Sequence, residues 1–241
     1  MTSRLADKTV LITGAAGSLG SSIAEAIRAE GGVPICTGHK REGIDHALDV
    51  TSEDNWRSVI AEIERIHGEL DGLVNAAGIT VLANVEGTDF ATWRRIMAVN
   101  LDGAFLGCKY AMPLLRKSGG SIVNIASVYA KVGNANLTAY AASKGGLLQL
   151  TKSVALSGAS WKPPVRCNAL CPAFLDGAMM ENATETTPYP TLVRQALKRE
   201  IPLGRFGQTN EVAKLAVYLL SDDAAFVTGS EFTIDGGLTA R

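Results

Sequence analysis

Tyr140 and Lys144 stand four residues apart in Tyr140-Ala141-Ala142-Ser143-Lys144, and Ser127 closes the stretch Asn124-Ile125-Ala126-Ser127 thirteen residues upstream. That spacing puts phenol and ammonium on one face of a helix, and a serine just past an apolar strand can point at the same spot. Together the three groups could move a proton. A free phenol titrates near pH ~10, so acid–base work near neutrality requires its pKa to fall by roughly three units, or about 4 kcal/mol. A neighbouring ammonium commonly supplies about one to three of those units. Lys144 is placed to do this, and Ser127 to hold the oxygen of a carbonyl or alcohol. Taken alone, a Tyr-x-x-x-Lys spacing is common, and a packed tyrosine beside a solvated lysine is its ordinary explanation.

The elements that must position these groups read as alternating strands and helices, the pattern of a parallel sheet covered on both faces. Strands are predicted at 9–13, 33–37, 46–48, 70–75, 121–125, 165–171 and 231–234. Helices are predicted at 22–30, from Thr51 or Ser52 to about His67, over a long stretch 89–117, at 137–157 and at 210–220. The least regular region, 174–206, follows a strand's carboxyl end, where ligands bind in open α/β sheets, and is a candidate substrate lid with helical periodicity from Thr191 onward. No linker, composition break or repeat divides the chain, so residues 1–241 read as a single domain.

Hydrophobic residues make up 46% of the 241 positions and charged residues 20%, with a formal net charge of −1. Such a balance offers no field for nucleic acid or an anionic membrane surface, and small molecules are the expected partners. Cys36, Cys108, Cys167 and Cys171 lie in apolar stretches and lack metal-ligand spacing, as do the three histidines. Buried free thiols in a reducing cytoplasm, and no structural metal, are the expectation. No apolar run is long enough to cross a bilayer, and the first residues do not read as a secretory signal.

Between the first strand and the first helix lies Thr13-Gly14-Ala15-Ala16-Gly17-Ser18-Leu19-Gly20. Glycines there allow a tight turn and close approach of a pyrophosphate, while the helix N-terminus offers unpaired N–H donors and partial positive charge. The stretch lacks the Gly-Lys-Ser/Thr ending of a nucleoside triphosphate loop.

Thr13-Gly14 with Gly20, then Asn75-Ala76-Ala77-Gly78, Asn100, Ser127, and Tyr140 with Lys144, together resemble the short-chain dehydrogenase/reductase family in order and spacing, through Asp235-Gly236-Gly237 near the end. The resemblance implies a Rossmann-type doubly wound α/β fold, a parallel sheet of about seven strands with helices on both faces. It further implies hydride transfer between a nicotinamide and a carbonyl or secondary alcohol carbon. Tyr140 would be the acid/base, Lys144 would lower its pKa and bind the nicotinamide ribose, Ser127 would position the substrate oxygen, and Asn100 would anchor a water leading from Lys144 to solvent. The dinucleotide would lie along Gly14, Gly17, Ser18, Leu19 and Gly20, then Gly38, Asp49 and Val50, then Asn75, Ala76, Ala77 and Gly78, and finally Pro172, Ala173 and Leu175. Ser18 stands where the family usually has glycine, Ala173 and Gly177 depart from its usual glycine and threonine, and Ala76 replaces a second asparagine. A slightly rearranged loop with retained binding is expected.

A carboxylate ending the second strand would bind an adenosine ribose and repel a 2′-phosphate. Gly38 takes that place, followed by His39, Lys40 and Arg41. Two fixed positive charges favour a 2′-phosphate, so NADP(H) is expected over NAD(H). The expected substrate wall, Ser127, Val128, Tyr129, Leu137, Phe174, Leu175, Met179, Met180 and Tyr189, is mostly apolar and suits a small hydrophobic substrate, cyclic or aromatic in type. The resemblance implies a homotetramer, a dimer of dimers pairing the long helices. The alternative to an enzyme is a nucleotide-sensing protein of the same fold with little turnover.

Overall fold

The computed structural model describes residues 3–39, 43–177, 180–181, 185 and 188–240. Seven strands form one parallel sheet in the order β3-β2-β1-β4-β5-β6-β7. They are β1 (Thr9–Thr13), β2 (Val33–Gly38), β3 (His46–Ala47), β4 (Gly72–Asn75), β5 (Ser121–Ile125), β6 (Arg166–Pro172) and β7 (Glu231–Ile234). The central strands β4, β5 and β6 are buried along their whole length, as expected of a parallel sheet covered on both faces.

The helices are α1 (Ser18–Ala29), α2 (Glu53–His67), α3 (Phe90–Met97), α4 (Gly103–Ser118), α5 (Thr138–Ala159), α6 (Pro190–Glu200) and α7 (Thr209–Leu220). On one face α1 and α7 pack together over Ile12, Ile23, Ile27, Val217 and Leu220. On the other, α2, α4 and α5 bury Trp56, Ile63, Leu114, Leu115 and Leu147. Local chemistry sets several helix starts: Ser52 Oγ accepts from Asn55 N–H at 3.2 Å at the head of α2, and Asp89 Oδ1 accepts from Thr92 N–H at 2.6 Å at the head of α3. The four cysteines are free and buried.

Two boundaries differ from expectation in ways that matter for the site. The first helix begins at Ser18, because Gly17 adopts an extended conformation (φ −81°, ψ 159°) and serves as its N-cap. Ser18, Leu19 and Gly20 therefore form the first turn, four residues ahead of the predicted start. The stretch 89–117 is not one α-helix: a π-helical segment, Ala98–Asp102, separates α3 from α4. Such insertions break the helical hydrogen-bond register and concentrate at functional sites. Asn100 sits in the middle of it.

The strand order reverses between β1 and β4. The loops leaving those two carboxyl ends run to opposite sides and open a crevice between them, the place where open α/β sheets bind ligands.

Candidate active site

A cavity of about 750 Å³ runs from the end of β2, through the crevice, to the loop after β5 and the segment after β6. At its floor Gly14 is left-handed (φ +66°), and a Cβ there would lie 2.8 Å from the backbone of Ala77. A Cβ on Gly20 would lie 2.3 Å from the Gly14 carbonyl oxygen. Any larger residue at either position would close the cradle or push its two loops apart. Thr13 Oγ1 joins those loops, accepting from Ala76 N–H and Ala77 N–H at 3.1 Å each. The open N-terminus of α1 faces the same space, so the residues fit a dinucleotide whose pyrophosphate lies against Gly14 to Gly20.

Beyond the cradle stands the Tyr140 cluster. Ser127 is buried and caps a short 3₁₀ turn, Val128–Ala130, its Oγ accepting from Tyr129 N–H at 3.2 Å. Beside it stands the half-buried Tyr140. Burial pushes the Tyr140 phenol above its ordinary pKa, while Ser127 pulls in the opposite direction. Lys144 is buried one helical turn on, and its Nζ donates to the Ile125 carbonyl at 2.7 Å while lying 5.8 Å from the Tyr140 ring centre. Desolvation drops its ammonium to about 8. In this arrangement the Lys144 ammonium is bonded to a backbone carbonyl, and burial sets the upward direction of the Tyr140 shift. The phenol is held in its protonated, acidic form.

Asn100 is buried, and its side chain makes three hydrogen bonds. Oδ1 accepts from Ile79 N–H at 2.8 Å, and Nδ2 donates to Ile79 C=O at 2.9 Å and to Ser143 Oγ at 3.1 Å. Ser143 Oγ in turn donates to Tyr140 C=O at 2.7 Å. Asn100 thus clamps the loop after β4 to the helix carrying Tyr140 and Lys144. Both Nδ2 donors are taken, and Oδ1 keeps one lone pair beyond the Ile79 N–H bond, on the side of Gly78 where Lys144 Nζ also lies.

Of the expected cofactor residues, Gly14, Gly17, Ser18, Leu19, Gly20, Gly38, Asp49, Val50, Ala76, Ala77, Gly78, Pro172, Ala173 and Leu175 line the cavity, with Tyr140 and Lys144. Asn75 does not. It is buried beneath the loop, donating to Asn124 Oδ1 at 2.8 Å and Cys108 Sγ at 3.6 Å, a polar tie between β4 and β5. Asp49 Oδ1 accepts from Thr51 N–H at 2.9 Å and Thr51 Oγ1 at 2.7 Å, and these bonds hold its carboxyl below the usual range. Ser127, Tyr129, Leu137 and Phe174 line the substrate end, with Met180. Val128 is wholly buried elsewhere and Tyr189 is 68% exposed, so neither is a wall of this cavity. Lys40, Arg41 and Met179 lie outside the described residues.

Sequence reasoning missed Thr80, Leu82, Asn134, Asn136, Val193 and Leu197, which also line the cavity. Thr80 and Leu82 follow the Asn75–Gly78 motif directly, and Val193 and Leu197 show the four-residue spacing of one face of α6. Those patterns were available, but only folding tells which face looks inward.

Two departures from the family pattern meet in space. A Cβ on Gly177, whose φ is +143°, would stand 2.9 Å from Ser18 Oγ. The serine side chain occupies room that the glycine vacates, so each substitution makes sense of the other.

The family model described as enoyl-(acyl carrier protein) reductase matches residues 14–239. The 2-(S)-hydroxypropyl-CoM dehydrogenase 3 of Xanthobacter autotrophicus is 36% identical over 262 aligned positions, covering 100% of both chains. The NADP-dependent (R)-specific alcohol dehydrogenase of Lentilactobacillus kefiri is 33% identical over 260, again covering 100% of both. The ligand-free aldohexose dehydrogenase of Thermoplasma acidophilum superimposes with a TM-score of 0.92 at 37% identity, covering 100% of this chain and 97% of that one.

Proposed function

Because the chain belongs to the short-chain dehydrogenase/reductase family, and so is an oxidoreductase of alcohols and ketones, we propose that it interconverts a ketone and a secondary alcohol on a compact, mainly apolar substrate with NADP(H). The observation that carries this reading is the single cavity joining the glycine cradle to the Ser127, Tyr140 and Lys144 cluster. Gly14 to Gly20 and Ala76 to Gly78 would hold the dinucleotide. When bound, its nicotinamide supplies or accepts the hydride.

The chain's own residues handle the oxygen and its proton. Ser127 and Tyr140 line the same end of the cavity and form a pair of hydroxyls against which a carbonyl oxygen can sit. The protonated phenol donates as negative charge builds on that oxygen and is left as phenolate; in the reverse direction the phenolate takes the alcohol proton and returns to phenol. Lys144, at about 8, can hold or release a proton near neutrality directly behind it. Tyr140→Phe should lower kcat by about 10²–10⁴-fold while the protein still binds dinucleotide, followed by quenching of tryptophan emission. Dinucleotide binding with no ketone or alcohol turnover in the parent protein would favour the sensing alternative.

The preference for NADP(H) is supported by Gly38, which lines the adenosine end without a carboxylate, and by Lys40 and Arg41 two and three residues on. We further propose a cytoplasmic homotetramer that binds neither nucleic acid nor membrane. Outward-facing Phe105 on α4 and Leu156 on α5, 48% and 78% exposed, support burial of these helices against a second copy.

A further inference from the structure

The 3₁₀ turn that delivers Ser127 also delivers Tyr129 to the substrate end of the cavity. The Tyr129 ring is fixed by edge-on packing against Phe174 (6.0 Å, 65°), and Phe174 packs the same way against buried Phe206 (6.2 Å, 63°). Asn134 lines the same cavity. That amide has a defined orientation. Asn136 N–H lies 2.9 Å from one end of it, and a backbone N–H can only donate, so the atom facing it is Oδ1. Asn136 is itself anchored, its carbonyl accepting from Ala83 N–H at 2.8 Å. That leaves Nδ2 as the amide's unengaged donor, and Asn134 pulls the Tyr129 pKa down, the direction that a donor to the phenol oxygen gives. With the phenol oxygen accepting from Nδ2, the phenolic proton is free for the cavity. Leu82, Leu137, Val193 and Leu197 supply apolar walls to the cavity.

Resting on the oxidoreductase reading, we propose that this cavity reads a second oxygen on its substrate. The Tyr129 hydroxyl donates to a carbonyl, ether or hydroxyl oxygen carried beyond the reacting carbon, and Asn134 is the positioning residue that turns the donor inward. The substrate class is a ketone, or the corresponding secondary alcohol, bearing a second oxygen function on an apolar frame. Burial holds the Tyr129 phenol above its ordinary pKa, which keeps the donor proton in place at neutral pH.

The test compares reduction of cyclohexanone with that of 1,2- and 1,4-cyclohexanedione, using the dinucleotide the protein binds more tightly. The readout is the ratio of kcat/KM for the better dione to that for cyclohexanone, in the parent protein, Tyr129→Phe and Asn134→Asp. Intrinsic reactivity cancels when one ratio is divided by another. Tyr129→Phe removes the donor without changing shape, and the ratio should fall about tenfold. Asn134→Asp keeps the acceptor for Asn136 N–H but offers the phenol a carboxylate, so the hydroxyl turns away from the cavity and the ratio should fall by a similar factor. A merely structural Asn134 would not shift selectivity in step with Tyr129. A ratio unchanged in Tyr129→Phe, or a parent protein that reduces cyclohexanone and leaves both diones untouched, overturns the inference and leaves the oxidoreductase reading standing. A folded, dinucleotide-binding protein that turns over none of the three with either NADPH or NADH overturns both.

Discussion

Lys144 is the residue whose environment departs most from what its type prefers. The chain holds it 5% exposed, bonded to one carbonyl, and its ammonium falls from 10.5 to about 8 through desolvation. Between those values the unfolded chain keeps a proton that the folded protein has released, so the lysine's penalty on folding is full below about pH 8 and fades as pH rises. Lys144→Met, which carries no such penalty, should lose about 2 kcal/mol of its stability relative to the parent between about pH 7.5 and about pH 9.5, measured by urea unfolding. The pairing of Ser18 with Gly177 makes a second prediction at this scale. Gly177→Thr, a side chain introduced at φ +143° beside Ser18 Oγ, should weaken dinucleotide binding, and Ser18→Gly in the same chain should recover part of the loss. A titration cycle over the four proteins should return a coupling of about 1 kcal/mol; strict additivity would mean that the two positions are independent. The sequence showed both departures singly. Their compensation depends on a contact between positions 159 residues apart and became visible only with coordinates.

Among the elements, the π-helical segment between α3 and α4 does work that a continuous helix would not. It places Asn100 where one side chain can bond both backbone groups of Ile79 and reach Ser143 on α5. Asn100→Ala should therefore leave the Ile79 N–H and C=O without partners and cost about 2–3 kcal/mol, a fall in Tm of roughly 5–10 °C for a domain of this size. Thermal unfolding checks it, and a shift below about 1 °C would mean that water replaces the amide without cost. The long helical pattern over 89–117 was legible from its apolar spacing. The π insertion was not, because one extra residue per turn changes the register of a helix without changing its composition. The same holds for the start of α1: Gly17 reads as part of a glycine turn, and its backbone angles made it a cap.

For the whole molecule, one parallel sheet sets the relation between two chemistries. Strand order puts the carboxyl ends of β1 and β4 beside each other, and the next strand, β5, carries Ser127 past its end. A glycine cradle and a proton-transfer cluster more than a hundred residues apart in sequence thus open on one cavity. The proposed assembly belongs to this scale as well. Light scattering should return a mass roughly four times 25.3 kDa, and Phe105→Glu with Leu156→Glu should reduce it, because charges on both helices would be desolvated in the interface. A monomer in the parent protein would rule the assembly out.

By itself the sequence determined the order of strands and helices, the glycine turn on the first strand, and the spacing that brings Tyr140, Lys144 and Ser127 to one cavity. Each is encoded by residues within a few positions of one another, through helical or strand period and turn chemistry. It also placed most of the dinucleotide cradle, because that cradle is built from backbone at short motifs. Only the tertiary structure decided that Asn75 supports the site from below, that Asn100 spends its amide on a loop, that Lys144 bonds the Ile125 carbonyl, and that Asn134 turns its oxygen to Asn136. The physical reason is common to all four. Where a polar side chain sends its hydrogen bonds depends on which partners the packed chain brings within about 3 Å, and no local pattern carries that information.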